Sequence, residues 1–533
     1  MDDYKKVLKK FVSIGYSLSN IRDLDRLFQI ILTEAIDLLQ CDSGTVYIKK
    51  KRPEEEITEE ERNDPMAAPE YQLEFRDVQN RSQRVDFQKS CMVVSKRTIP
   101  GYSTMTGEMV NIPDAYGLTG DEPYQFSKSF DEESAYRTVS ILSIPMKNKD
   151  GEVIGVITLY NRKRNPERRL RTDDDFRENV VPFDEHDVEF AESIASQAAV
   201  ALENSLLYKG IEEMLYGFVN ASVTAVESRD PVTAGHSKRV SILTTELAKR
   251  IDRCDAGTYR ETRFSPDQLK EIEFAALLHD FGKIGVRERV LVKPHKLHQE
   301  ELQALLERFK YLKKNIEKEH SERKLQYLME HGREEFAAYS KAVDEEQAAR
   351  FEQLDAYVRY ILSINNPLIV KSEIGGIEKL SEISRITYPD EDGTVKPLIQ
   401  PFEIHHLSIL KGSLTEDERR EIESHVKHTF SFLTKIRWTG ELSKVPDIAH
   451  AHHEKLDGSG YPRGLMEKEI PLQSKIMTVA DIFDALTAAD RPYKKAVPFE
   501  KALFVLELEV KDGQVDREIF QIFREAEVYK AVL

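Results

Sequence analysis

The sequence predicts a multidomain protein: an α+β domain (an antiparallel sheet with flanking helices), joined by a long helix to an all-α domain that carries a helical insertion. Three observations carry that prediction. Two apolar runs face each other across a tight turn near residue 150. An apolar stripe at helical spacing runs without proline from Val188 to Val223. Everything after Asp230 keeps a helical period. A chain of 533 residues has room for about two to four such units, each with its own core.

The elements follow in order. The opening MDDYKKVLKKFVSIGYSL reads as an amphipathic helix over residues 1–18 and lacks the basic-then-apolar layout of a secretion signal. Ile21, Leu24, Leu27, Phe28, Ile31, Ala35 and Leu38 recur at helical spacing and predict a helix to about Gln40. GTVYIK and YQLEF read as short strands, with KKKRPEEEITEEERNDP a solvated loop between them. VSILSIPM (139–146) and VIGVITLYN (153–161) form a hairpin whose turn centres on Asp150-Gly151.

Beyond Pro182, the stripe Val188, Ala191, Ile194, Ala195, Ala198, Leu202, Leu206, Met214, Phe218 and Val223 predicts one very long helix or two stacked ones. A parallel copy of the chain is the simplest way to bury it, so a homodimer is expected. Between about residues 298 and 410, ELQALLERFKYLKKNIEKEH and EEQAARFEQLDAYVRYIL predict a helical hairpin, followed by a less regular part around YPDEDGTVKP.

Composition narrows the function classes. Hydrophobic content of 40% with 32% charged residues is that of a soluble folded protein, and no window approaches the run of about 18 apolar residues that a membrane span needs. Cys41, Cys91 and Cys254 are too scattered for a disulfide framework or a cysteine zinc site, which sets a cytoplasmic expectation. A net charge of -17 argues against binding a nucleic acid polymer but leaves room for a small anionic substrate in a locally basic pocket.

The chemistry gathers around AHHEKLDGSGYPRG (451–464), where His452 and His453 stand side by side. ALLHDFGKIG places His279 and Asp280 at the end of an apolar helical run, with Lys283 on the next turn. His236 lies in DPVTAGHSKRV and His425 in ERREIESHVKHTF. Asp481 lies in VADIFDAL, apolar enough that a buried carboxylate needs a partner or a metal. His236, His279, His425, His452 and His453 with Asp280 and Asp481 suit two divalent metal ions, Asp280 bridging. His428, His450, His405 and His406 read as structural.

HDFGK (279–283) and HHEKLDGSGYP (452–462) resemble the signature of HD-GYP domains, a branch of the HD phosphohydrolase superfamily. The resemblance covers about residues 220–298 and 410–533 and departs from the family in the long insertion. It implies a metal-dependent phosphodiesterase cutting cyclic di-GMP to the linear dinucleotide and on toward GMP, with the seven residues above as metal ligands and iron or manganese as the metal. It implies catalytic roles for Asp280, Lys283 and His279, and substrate contacts from Lys283, Tyr461, Arg491 and Lys494. A non-enzymatic cyclic di-GMP receptor and a phosphodiesterase of another cyclic dinucleotide, such as cyclic GMP-AMP, are the alternatives.

Residues 19–207 resemble a GAF domain, on LLQCDSGTVYI, MVNIPDAY, SIPMKNKDGEVIGVITLYNRK and FDEHDVEFAESIASQAAVALEN. That implies a regulatory sensor for an unidentified small ligand. Asn161, Arg162, Phe183, Asp187 and Val188 match in part the pattern of the members that bind cyclic nucleotides. The expected layout is therefore a terminal helix at 1–18, a sensor at 19–207, a linking helix at 184–228 and a catalytic domain at 220–533 with its insertion at about 298–410.

Overall fold

The computed structural model describes residues 23–83, 90–134, 136–230, 234–367, 376–390, 392–438, 440–488 and 497–532. The helix expected over residues 1–18 lies outside them. The chain divides into two units, Met1–Leu215 and Tyr216–Leu533.

In the first unit, helix α1 (Leu24–Leu38) starts where the Asp23 carboxylate accepts the Arg26 N–H at 2.7 Å, and it buries Leu27, Phe28, Ile31, Leu32, Ala35 and Ile36. Strands β1 (Cys41–Lys51), β2 (Ala67–Asn80), β3 (Cys91–Ser95), β4 (Val110–Ile112), β5 (Ile141–Lys147) and β6 (Val153–Lys163) pair antiparallel in the order β3-β2-β1-β6-β5-β4, with β7 (Val180–Val181) on β6. The predicted hairpin is β5–β6. Its turn is built by Asn148, whose side chain accepts from Asp150 N at 3.0 Å and Glu152 N at 2.9 Å, and by Gly151 at φ +79°. The charged loop after β1 contains a single-turn helix at Glu59–Arg62 with a Thr58 capping box.

A short helix α2 (Ile99–Thr106) follows β3. The long helix is one piece, α3 (Glu185–Glu227), and its stripe divides. Ala191, Ile194, Ala195, Ala198 and Leu202 are buried against α1 and the sheet, so this half serves its own domain's core and cannot face a partner. Val200, Leu207, Ile211 and Met214, on a different face, stay 57%, 59%, 57% and 69% exposed. The Asn161 side chain is spent on the fold, with Nδ2 donating to Arg137 O at 2.8 Å and Oδ1 accepting from Val139 N at 2.7 Å. Arg162 pairs with Asp184 and Asp187 at the start of α3.

In the second unit, α4 (His236–Asp252) packs on α5 (Pro266–Leu278). The insertion holds α6 (Gln299–His331) and α7 (Phe336–Ile364), antiparallel as shown by the pairs Lys313–Asp355 and Lys324–Asp344, with Leu305, Phe309, Ile316, Leu354, Tyr357 and Ile361 in a shared core. The stretch expected to be irregular is instead a ribbon of β8 (Thr387–Pro389) and β9 (Val395–Pro397), turning at Gly393 with φ +77°. An aspartate-glycine pair favours such a turn, and Tyr388 and Leu398 anchor the ribbon in the insertion's core. Then follow α8 (Glu416–Glu423), α9 (His425–Leu433), α10 (Val445–His450), α11 (Leu472–Thr487), α12 (Phe499–Lys511) and α13 (Arg517–Glu525). Helix α11 packs on α4. No helix among the described residues is long and apolar enough to cross a membrane.

Candidate metal centre

The last carbonyls of an α-helix have no partner within the helix. Three times in the second unit a histidine supplies one. His279, directly after α5, aims Nδ1 at Ala276 O (2.7 Å); His425, two residues beyond α8, aims Nδ1 at Ile422 O (2.6 Å); His452, two residues beyond α10, aims Nδ1 at Ala449 O (2.6 Å). A carbonyl accepts, so each Nδ1 carries the proton and each Nε2 keeps its lone pair. All three Nε2 atoms are buried without a hydrogen-bond partner among the described residues. The helix ends they cap are negative dipole ends, which favour a cation.

His236 is held differently. It opens α4, where there is no spare carbonyl, and its Nδ1 lies 2.8 Å from Asp484 Oδ2 instead. Its Nε2 lies 3.2 Å from Asp481 Oδ1. Asp280 sits between the histidines: Oδ1 is 3.3 Å from His425 Nε2, whereas Oδ2 is 3.5 Å from His279 Nε2 and 3.7 Å from His236 Nε2. Asp481 Oδ2 is 3.8 Å from His453 Nδ1. Donor atoms of His236, His279 and Asp481, of His425, His452 and His453, and of His279, Asp280 and His452 each fall within 4.8 Å of one another. The seven residues named from the sequence thus meet in one cluster, all buried but the partly exposed His453, and imidazole nitrogens beside carboxylates fit a metal centre.

Charge follows the same pattern. Burial drives the imidazoles of His279 and His452 below their usual range and His453 down to about 4, which keeps them neutral and able to donate. Burial opposes charge on His236 too, but its bonds to Asp481 and Asp484 carry it up to about 9. Burial alone would raise Asp280 and Asp481; Lys283 beside Asp280 and the His236 bond to Asp481 hold the two carboxyls ionised instead. Lys283 Nζ sits 2.6 Å from Asp280 Oδ2 and 3.6 Å from Asp230 Oδ2.

The chain folds this way for local reasons. Gly282 lies so close to α9 that a Cβ would come within 1.9 Å of His425 O. Thr429 Oγ1 accepts from Gly282 N at 2.8 Å and donates to His279 O at 3.0 Å, pinning the HDFGK turn. Thr478 Oγ1 donates to His452 O at 2.8 Å. Buried Glu454 accepts from Arg463 N and Leu465 N, each at 2.8 Å, which shapes the loop that sets the Tyr461 ring 4.8 Å from the His453 ring. Gly460 runs against backbone too closely for any side chain, its Cβ position being 2.3 Å from Lys455 N.

Sequence reasoning missed Asp484, Thr429, Thr478 and Glu454. Asp484 had a signal, since it follows Asp481 by one helical turn; the two threonines had none. Arg491 and Lys494 lie outside the described residues. Of the histidines read as structural, His450 stacks on Phe430 at 4.2 Å and His406 Nδ1 lies 2.7 Å from Phe402 O.

A family model described as a GAF domain matches residues 23–202, one described as an HD domain matches residues 233–359, and a second HD-domain model matches residues 398–519. The chain thus pairs a stretch similar to GAF domains with a mostly helical region similar to HD domains. Among curated proteins, the chain is similar to 3'3'-cGAMP-specific phosphodiesterase 3 of Vibrio cholerae, 44% identical over 115 residues, which is 22% of this chain and 24% of that protein. It is 37% identical over 136 residues to a cyclic di-GMP phosphodiesterase of Thermotoga maritima, covering 26% of this chain and 32% of that one. It is 43% identical over 99 residues to the cyclic di-GMP phosphodiesterase response regulator RpfG of Xanthomonas campestris, covering 18% and 25%. The alignments span only 24%, 32% and 25% of those relatives' own lengths.

Proposed function

We propose that the protein is a metal-dependent phosphodiesterase of the HD-GYP kind that hydrolyses a cyclic dinucleotide, cyclic di-GMP being the leading substrate, under control of its GAF domain. The observation that carries this reading is the trio of buried, unpartnered Nε2 atoms of His279, His425 and His452 around Asp280. His236, His279, Asp280 and Asp481 would hold one divalent ion, and Asp280, His425, His452 and His453 a second, with iron or manganese suited to the mixed imidazole and carboxylate donors. Such ions supply Lewis acidity toward phosphoryl oxygens and make water nucleophilic at neutral pH.

The chain's own residues do the rest. Lys283 brings a positive charge beside the cluster, where it offsets the negative charge that grows on a phosphodiester under attack. Tyr461, held by the Glu454-braced loop, offers an aromatic wall for a nucleobase. Arg491 and Lys494 are proposed phosphate contacts on their motif positions alone.

A second substrate, 3'3'-cyclic GMP-AMP, is favoured by the name of the Vibrio cholerae relative. Product analysis of the metal-loaded protein against both cyclic dinucleotides decides between them. A linear dinucleotide from either supports the reading; binding without cleavage of any cyclic dinucleotide overturns it in favour of a receptor.

We further propose a cytoplasmic homodimer. Its contact is the exposed row Val200, Leu207, Ile211 and Met214, whose alternation of three- and four-residue steps after Leu207 is that of a coiled-coil seam.

A further inference from the structure

Resting on the metal-centre reading above, the geometry points to Asp484 as a positioning residue that makes the two halves of the centre unequal. The half built from His236, His279 and Asp481 then takes a divalent cation more tightly than the half built from His425, His452 and His453.

Two differences separate the halves. The first is their own charge. The His236 half contains the carboxylate of Asp481, whose Oδ1 is 3.2 Å from His236 Nε2 and 3.8 Å from His279 Nε2. The other half is three imidazoles, and its nearest carboxylate oxygens are Asp280 Oδ1, shared with the first half through Oδ2, and Asp481 Oδ2 at 3.8 Å from His453. An anionic donor adds direct attraction for a dication that a neutral ring lacks.

The second difference lies behind the rings. His279, His425 and His452 rest on neutral backbone carbonyls, but His236 rests on a carboxylate. A carboxylate accepting the Nδ1–H makes the opposite nitrogen a stronger donor and fixes the ring's tautomer and direction. Asp484 itself is 2% exposed and cannot swing away. Arg239, one turn along α4, clamps it with Nε 2.7 Å from Oδ1 and Nη2 3.1 Å from Oδ2. His236 and His425 each open a helix at its positive end, which disfavours a cation, but only behind the His236 ring does a carboxylate accept and offset that dipole.

The test is a Mn²⁺ titration of the chelator-stripped, full-length protein, with free Mn²⁺ read by electron paramagnetic resonance and bound metal by elemental analysis. The wild type should fill in two unequal steps. Asp484→Asn, which keeps the shape and removes the charge, should weaken the tighter step by about 10–100-fold and leave the weaker one in place. Arg239→Gln should act on the same step in the same direction. His425→Ala should remove the weaker step and keep the tighter, Asp484-dependent one. The d–d absorption of the first Co²⁺ bound should shift in Asp484→Asn, because the donor strength of His236 changes.

Should Asp484→Asn fail to fold, judged by its circular dichroism, Arg239→Gln carries the test, its side chain being partly exposed. Equal steps in the wild type, or equal weakening of both steps in the variants, would overturn the inference while leaving the metal centre standing. A wild type that binds no ion would instead overturn the centre itself.

Discussion

Replacing Thr429 by valine keeps the volume and both branches at Cβ but deletes one hydroxyl. That hydroxyl is fully buried and makes two bonds, accepting from Gly282 N at 2.8 Å and donating to His279 O at 3.0 Å. Valine leaves a buried N–H and a buried carbonyl unpaired, each costing about 1–3 kcal/mol, so the C-terminal unit should lose about 2–6 kcal/mol. Serine keeps both bonds and loses one methyl group, for about 0.8 kcal/mol. The assay is urea unfolding followed by tryptophan fluorescence. Trp438 is the chain's single tryptophan and lies in the second unit, its Nε1 donating to Leu433 O at 2.9 Å, so the signal reports that unit alone. The reasoning fails if valine changes the midpoint no more than serine does, because the hydroxyl would then hold nothing that water cannot.

Asp280→Ala removes the carboxylate that faces both halves of the cluster and leaves Lys283 its longer contact to Asp230; losing one member of a buried ion pair costs about 3–5 kcal/mol, and two-metal occupancy should disappear. Two ions retained in elemental analysis would contradict the bridging role. Glu454→Ala frees two backbone N–H groups in the Tyr461 loop and should destabilise the second unit by about 2–3 kcal/mol in the same urea assay, with metal stoichiometry unchanged. Leu207→Glu with Ile211→Glu should give monomers in analytical ultracentrifugation with the first unit still folded, whereas Ile194→Glu should unfold that unit; a dimer that survives the exposed pair places the contact elsewhere. Chelation should leave far-ultraviolet circular dichroism unchanged while lowering the Trp438 unfolding midpoint, since ions that bind only the folded state stabilise it.

Much of this architecture was legible in the amino-acid order. The β5–β6 hairpin announced itself by alternation around an aspartate-glycine turn, and α6 and α7 by their apolar period. The residues of the cluster were legible because the metal chemistry proposed for them needs particular residue types at particular places. The stripe on α3 misled because period alone cannot say what covers a face: Ile194 and Leu202 meet α1 and the sheet, while Leu207 and Met214 stay largely exposed among the described residues. Thr429 and Thr478 were invisible for another reason. Each bonds a main-chain group far away in sequence or across a helix packing, and a threonine in an apolar helix carries no mark of that duty. Glu454 was read as part of a motif string, although its carboxylate braces the loop that follows.

Three imidazoles of the cluster are also helix caps, and this double duty separates building the socket from filling it. The bonds from His279, His425 and His452 to Ala276, Ile422 and Ala449 need no ion, so the rings stay aimed when the socket is emptied. Domains that collapse without their metal trap the first ion that folds them. Here the proposed ions would meet finished architecture and leave it intact, so their exchange would be reversible.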